Sequence, residues 1–283
     1  MDDVFIYLSN QVKNKSMQKI YRFVLFFLLG MNSNLFAQSG FSSELGLVVG
    51  PVAFQSDYGE RNNLETDAGN TGIGIGLAYY LNFAYRSDCN CYTQDTYFND
   101  HFKVRAELSY NKTKLNHFGK LADKTSIGGK QLNAMEGSSS ITNIGAQLEY
   151  YPLSIRDFSA YTGSFAPYIS LGAQYSFFNP QVKTSYGDGV LLNQNNIFPK
   201  YWSPSDGKPH GFSNDSGSTW SIVGSVGSRY KLNLMSDLII DLRWQYFNSN
   251  WVDGLNPNQK LYPENKANDW LVWLNFGYVY YLN

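Results

Sequence analysis

The sequence predicts an all-β fold: an eight-stranded antiparallel up-and-down transmembrane β-barrel. Three observations carry this. The segment from Asp269 to Asn283, DWLVWLNFGYVYYLN, places Trp270, Val272, Leu274, Phe276, Tyr278, Tyr280 and Leu282 on one alternate set. Successive strand residues face opposite ways, so this is a ribbon with one unbroken apolar face. A soluble edge strand of that kind aggregates, whereas a barrel strand in lipid requires it. Charged residues make up only 16% of the chain and aromatics 17%, yet mean hydropathy is slightly negative. That balance suits a barrel with polar loops and a polar inner face better than a helical membrane protein. Finally, apolar alternation recurs eight times after Gly40.

The first strand is expected over Phe41–Val52, with Leu45, Leu47 and Val49 on one face and Glu44, Gly46 and Gly50 on the other. The second, Asn70–Leu81, alternates Ile73, Ile75, Leu77 and Tyr79 with Gly72, Gly74, Gly76 and Ala78; the glycines read as small inward residues that leave room for large ones opposite. The third, Phe102–Leu115, sets Val104, Ala106, Leu108 and Tyr110 against Lys103, Arg105, Glu107 and Ser109. The fourth and fifth are expected over Ser140–Tyr151 and Ala166–Phe178, the sixth over Ser218–Leu232, and the seventh over Asp237–Phe247. The Asp269 segment is the eighth. Each matches the roughly 9–11 residues that a tilted membrane strand needs.

What flanks these strands fits the same reading. Met17 opens a basic stretch with Lys19 and Arg22, then an apolar run from Phe23 to Leu29, and Leu35-Phe36-Ala37 precedes Gln38. This is the pattern of a secretory signal, so 1–37 is expected to be a signal peptide starting at Met17 and 38–283 the barrel. No stretch after residue 40 approaches the roughly 18 apolar residues of a spanning helix. The expected outer connections, Ala53–Gly69, Asn116–Ser139, Asn179–Gly217 and Asn248–Asn268, are long. The inner one at Asn233–Ser236 is tight, and the inner connection Asn82–His101 is the exception. Long outer loops and short inner turns are the bacterial outer-membrane pattern, so the expected location is the outer membrane of a Gram-negative bacterium. Tyr79, Tyr80, Phe83, Tyr150, Tyr151, Tyr168, Tyr230, Tyr278, Tyr280 and Tyr281 are expected to form an inner aromatic girdle, with Tyr110, Tyr175, Phe177, Trp220, Tyr246, Trp251 and Trp270 near the outer ends.

The inward face carries Glu44, Lys103, Arg105, Glu107, Glu149, Arg229, Asp241 and Arg243, both signs in near balance. Buried charges must pair, so a salt-bridge network filling the lumen is expected. An eight-stranded barrel has room inside for little but side chains, which disfavours an ion-selective pore. A net charge of -1 points to no nucleic-acid partner. His101, His117 and His210 are scattered, with no metal-ligand spacing. His117 stands at an outer strand end, where a lipid-modifying barrel enzyme would hold a catalytic His, but no Ser or Asp accompanies it in a recognisable order. No cofactor, metal or catalytic residue is expected, and the chain reads as a non-enzyme. Cys89 and Cys91 form a C-x-C pair, read as an oxidised structural clip in an exported chain.

Residues Phe165-Ala166-Pro167-Tyr168-Ile169-Ser170-Leu171-Gly172, ending in Phe178-Asn179-Pro180, resemble the fifth-strand region of the PorG-type barrel of the type IX secretion machinery, as does Asn268-Asp269-Trp270. The Phe36-Ala37-Gln38 cleavage region is similar to that of Bacteroidetes outer-membrane barrels. The resemblance implies a structural or docking barrel, accessory to a secretion or motility machinery and free of catalytic residues. Independently of the resemblance, the length of the 82–101 connection, where a tight turn would suffice, makes it the expected handle for a periplasmic protein partner, with Asp88, Cys89, Cys91 and Asp95 as candidate contacts. The alternative is a surface receptor or adhesin using the long outer connection that holds Tyr201 and Trp202. A monomer surrounded by outer-membrane lipid is expected in either case.

Overall fold

A computed structural model describes residues 42–59, 69–83, 97–263 and 268–282. The expected signal region 1–37 and residues Asp88, Cys89, Cys91 and Asp95 lie outside the described residues. Eight antiparallel strands pair in chain order and close, β8 returning to β1. They are β1 Ser42–Gln55, β2 Thr71–Asn82, β3 Phe102–Asn116, β4 Met135–Tyr150, β5 Phe165–Thr184, β6 Gly217–Asn233, β7 Ser236–Phe247 and β8 Trp270–Tyr281. Closure leaves no strand edge for aggregation. Along the apolar rows read from the sequence, Leu45, Leu47, Ile73, Ile75, Leu108, Ile169, Leu171, Ile222, Ile240 and Phe276 are exposed. A closed barrel wrapped in exposed aliphatic and aromatic side chains, with charges inside, is an outer-membrane β-barrel.

Most strand limits agree with the periodicity, but β1 runs three residues further, to Gln55, and two strands are longer still at their outer ends. β4 begins at Met135, not Ser140, and β5 runs to Thr184, not Phe178. Their register is unbroken from Met135↔Thr184 to Tyr150↔Ile169. The extension escapes an apolar-out template because the pattern inverts. Beyond Ile144 the side chains of β4 that point away from the barrel axis are Thr142, Ser140, Ser138 and Glu136, while Ile141 and Met135 are buried inside. Beyond Phe177 on β5 the outward residues are Asn179, Gln181 and Lys183, while Phe178 and Val182 are buried. On β3 the outward row passes from Tyr110 to Lys112 and Lys114. The three strands leave the apolar band here and enter water, where polar side chains face out and apolar ones face in.

Among the described residues are four short helices: α1 Tyr97–His101, α2 Ile127–Asn133, α3 Ile155–Ala160 and α4 Pro199–Trp202. In α3, Ser154 caps the N-terminus, its Oγ accepting from the Asp157 amide at 3.2 Å. The helix turns Ile155 and Phe158 into the inner mouth, beside Tyr80, Tyr151 and Tyr168. Thus the inner connection between β4 and β5 is a stopper, not a simple turn. The Asn233–Ser236 connection is the expected tight turn, with Asn233 paired to Ser236.

One expectation about the girdle is corrected. Tyr80, Tyr151, Tyr168 and Tyr281 face the lumen and are almost fully buried. Each occupies the inward alternate position of its strand end, and each ring lies against a buried charge or the stopper. Tyr278 and Tyr280 remain exposed toward lipid.

Candidate functional site

The lumen is filled in three layers, set by which residue types occupy the inward positions at each height. The inner layer is ionic. Glu44 accepts from Lys103 at 2.7 Å and from Arg229 at 2.5 Å. Arg229 also reaches Glu149 at 3.3 Å and Asp237 at 3.6 Å. Arg105 bridges Glu107 at 2.6 Å and Asp241 at 2.9 Å. Arg243 grips Glu107 with both terminal nitrogens, at 2.5 and 2.9 Å, a two-pronged geometry available only to guanidinium. All eight charged residues singled out from the sequence meet in this layer.

Two members were missed. Lys231 pairs with Asp237 at 3.3 Å. Period-two spacing could have found both: Lys231 lies two residues beyond Arg229, and Asp237 four before Asp241. With them, Lys103, Arg105, Arg229, Lys231 and Arg243 balance Glu44, Glu107, Glu149, Asp237 and Asp241. Tyrosines complete the shell. Tyr168 donates to Asp241 at 3.0 Å, Tyr151 to Glu149 at 2.7 Å and Tyr281 to Asp237 at 2.7 Å. The Arg229 guanidinium lies 4.2 Å from the Tyr80 ring centre, and Lys231 Nζ lies 3.8 Å from that of Tyr281.

The middle layer is uncharged and polar. Gln245 Nε2 donates to Asn143 at 2.9 Å and to Ser221 at 2.9 Å, and Ser176 donates to Asn143 at 2.7 Å. Trp273 shares this region, with the Arg243 guanidinium 4.8 Å from its ring. A side chain at Gly74 would lie 2.6 Å from that ring, so glycine there leaves the space the indole fills.

The outer layer is an apolar core. Phe54, Leu115, Met135, Ile141, Phe178, Val182, Phe247 and Leu271 from the strands pack with Ile197, Tyr201, Val252 and Leu255 from the outer connections. These connections therefore form a folded cap whose core continues into the barrel mouth. Tyr201 donates its hydroxyl to the Asp57 carbonyl at 3.2 Å. It is buried and offers no surface to a partner, a correction to its reading as a loop contact. Trp202 is half-exposed and lies 4.3 Å from the His210 ring.

His117 is buried in the cap, 4.6 Å from the Tyr58 ring and 5.8 Å from that of Tyr201. Burial, helped by the Lys200 charge, holds its imidazole down to about 3, so it stays neutral. Asp253 and Asp269 are also buried in the cap. Burial pushes both carboxyls well above the usual range, and the neighbouring Asp57 adds to the rise. They anchor backbone: Asp269 accepts from the Val252 amide at 3.1 Å, and Asp253 from the Leu255 amide at 2.7 Å and the Asp57 amide at 2.8 Å.

The cap surface holds a polar pocket of about 410 Å³ between the β5–β6 and β7–β8 connections, lined by Ser205, Asp206, Asn256, Asn258, Gln259 and Lys260. Several of its side chains are fixed in place. Asp206-Gly207 forms a two-residue hairpin turn with φ of 47° and 78°, closed by Ser205 and Lys208 exchanging backbone bonds at 3.1 and 2.9 Å. Trp251 Nε1 donates to Asp206 Oδ2 at 3.2 Å. Asn256 accepts from Asn250 at 3.1 Å, and Asn258 donates to the Pro204 carbonyl at 2.7 Å. None of the six lining residues was singled out from the sequence. The Asp-Gly pair was its one local signal, as an αL turn within a loop.

No protein-family model and no curated protein matches the chain. Among solved structures, it is similar to the outer membrane protein OprG from Pseudomonas aeruginosa at 16% identity, covering 86% of this chain and 98% of that one with a TM-score of 0.39. It is similar to Neisserial surface protein A at 14% identity, covering 86% and 97% with a TM-score of 0.39. It is also similar to a major outer membrane protein from Thermus thermophilus at 13% identity, covering 85% and 99% with a TM-score of 0.42.

Proposed function

We propose that the chain is a non-conducting, non-enzymatic outer-membrane barrel that works as a surface-recognition platform through its outer cap. The single observation behind this reading is the inversion of polarity on β3–β5. It builds a water-facing folded unit above the band, and that unit carries a preorganised polar pocket. A barrel serving only as a wall plug has no use for a capped core with fixed pocket side chains. The non-enzymatic reading draws on His117, which is enclosed by aromatic rings inside the cap and not presented to lipid.

A second reading, a docking component of a secretion or motility machinery, rests on the inner rim. There the end of the 82–101 connection is pinned: Asp100 accepts from the Arg156 amide at 3.1 Å, joining α1 to α3. Tyr97 and Phe98 are exposed beside this joint.

The test of the platform reading uses detergent-solubilised protein on an array of extracellular proteins and glycans. Asp206→Asn, Gln259→Ala and Lys260→Ala together remove pocket functions while sparing the cap core. Ligands retained by the wild type and lost in the triple variant are expected. An array with no ligand, or one whose ligands the triple variant keeps, contradicts the reading.

A further inference from the structure

The apolar band is indented on its outer rim where β1, β2 and β3 meet. The indentation is a groove of about 540 Å³ lined by Gly50, Pro51, Thr71, Gly72, Ile73, Lys112 and Lys114. Gly50 and Gly72 lie on the inward rows of their strands, so it is their backbone that forms the floor between the outward residues Pro51, Thr71 and Ile73. A Cβ on Gly72 would meet the Lys112 carbonyl oxygen at 2.0 Å, so the strands here approach as only glycine permits. Pro51 lacks an amide hydrogen, and the β1–β8 pairing passes from Val49↔Phe276 to Val52↔Trp273 without it.

The two lysines are unlike every cation of the lumen. They stand two residues apart on the outward row of β3, at the edge of the apolar band immediately beyond Leu108 and Tyr110. Lys112 lies opposite Ser140 and Ile73, and Lys114 opposite Ser138, so no carboxylate faces either across its neighbours. Lys183, at the same level on β5, lies opposite Glu136. Thus, among the described residues, Lys112 and Lys114 form a doubly cationic spot with no carboxylate directly opposite, and an apolar groove opens beside it.

We propose that this groove binds a phosphorylated lipid of the outer leaflet. An acyl chain lies against Pro51 and Ile73, and a phosphate sits between the ammonium groups of Lys112 and Lys114. The groove is continuous with the lipid-facing band, so a lipid reaches it without leaving the membrane. Ammonium groups at the band's edge meet phosphates at headgroup level, where the lysine stems stay in apolar contact. The proposal is independent of the cap's role, since none of these residues lines the cap pocket.

Native mass spectrometry of the delipidated protein in uncharged detergent tests it, with diphosphorylated lipid A as the probe. The wild type is expected to retain the lipid. Retention should fall by about tenfold or more in Lys112→Gln/Lys114→Gln, and equally when the probe is dephosphorylated. Thr71→Trp, which fills the groove without touching the charges, should also lower retention, whereas Lys183→Gln should not. The variants lie on the exposed face, and heat-modifiability confirms that each is folded. Equal retention by wild type and double variant overturns the proposal. So does displacement of the lipid by millimolar inorganic phosphate, which would mark a free-anion site instead.

Discussion

Arg229 illustrates what this lumen demands of a side chain. It is fully buried, so its charge is tolerable only because Glu44, Glu149 and Asp237 surround it. Removing one partner of such a group typically costs about 3–5 kcal/mol, chiefly because the remaining charge is stranded. His117 shows the opposite solution, a titratable group kept neutral. Its folded value near 3 lies below the roughly 6.5 of an unfolded chain. A depressed folded value means that the folded cap resists protonation. The stabilising effect is therefore complete above about pH 6.5 and is lost as pH falls toward 3. By about pH 5 this amounts to about 2 kcal/mol of local cap stability. Asp253 and Asp269 act in the other direction, because their raised values favour the folded cap at low pH. Comparison with His117→Phe isolates the imidazole, since both proteins share the carboxyls. Proteolysis of the 185–216 connection at pH 7 and pH 5 should show greater acid sensitivity in the wild type than in His117→Phe. Equal sensitivity would contradict a buried neutral imidazole. At this scale the sequence was legible for charges, because inward charges on strands follow a period of two. It misled for Tyr80, Tyr151, Tyr168 and Tyr281. A tyrosine at a strand end suits a lipid headgroup or a buried carboxylate equally well, and only the register decides.

The strands β4 and β5 pass through two solvents, and their side chains record the crossing. Inside the band, Ile169 and Leu171 face lipid while Ser170 and Gln174 face the lumen; above it, Gln181 and Lys183 face water while Val182 is buried. Substitution with one residue type on either side of the boundary should separate the two regimes. Leu171→Lys is expected to cost about 2–4 kcal/mol, as for a lysine deep in the lipid face. Gln181→Lys should stay within about 0.5 kcal/mol. Urea unfolding in lipid vesicles, followed by tryptophan fluorescence, measures both. Similar losses at the two positions would place the boundary elsewhere. The inversion explains why the strand count was readable while these two lengths were not. A template of apolar-out alternation ends where the solvent changes, although the hydrogen-bonded ladder continues. Helix α3 was hidden for a different reason. Six residues are too few to establish a helical period, and its only marks are the Ser154 cap and the buried pair Ile155 and Phe158.

Taken as a whole, the barrel is closed at every level: α3 and its tyrosines at the inner mouth, five cations against five carboxylates above them, a polar layer, then the apolar core of the cap. The eightfold alternation and the sign balance made the barrel and its filled lumen readable from the chain. The cap pocket was not readable, because it joins Asp206 to Asn256 and Asn258 across two connections whose folding depends on the apolar core beneath. The proposed non-conducting role rests on a lumen filled in this way, which would leave the outer surface and the rims as the working parts. Planar-bilayer recording of the refolded protein tests this directly. The filled lumen predicts a flat baseline with no resolved opening steps under an applied voltage of either sign; steady ohmic conductance through single barrels would contradict it.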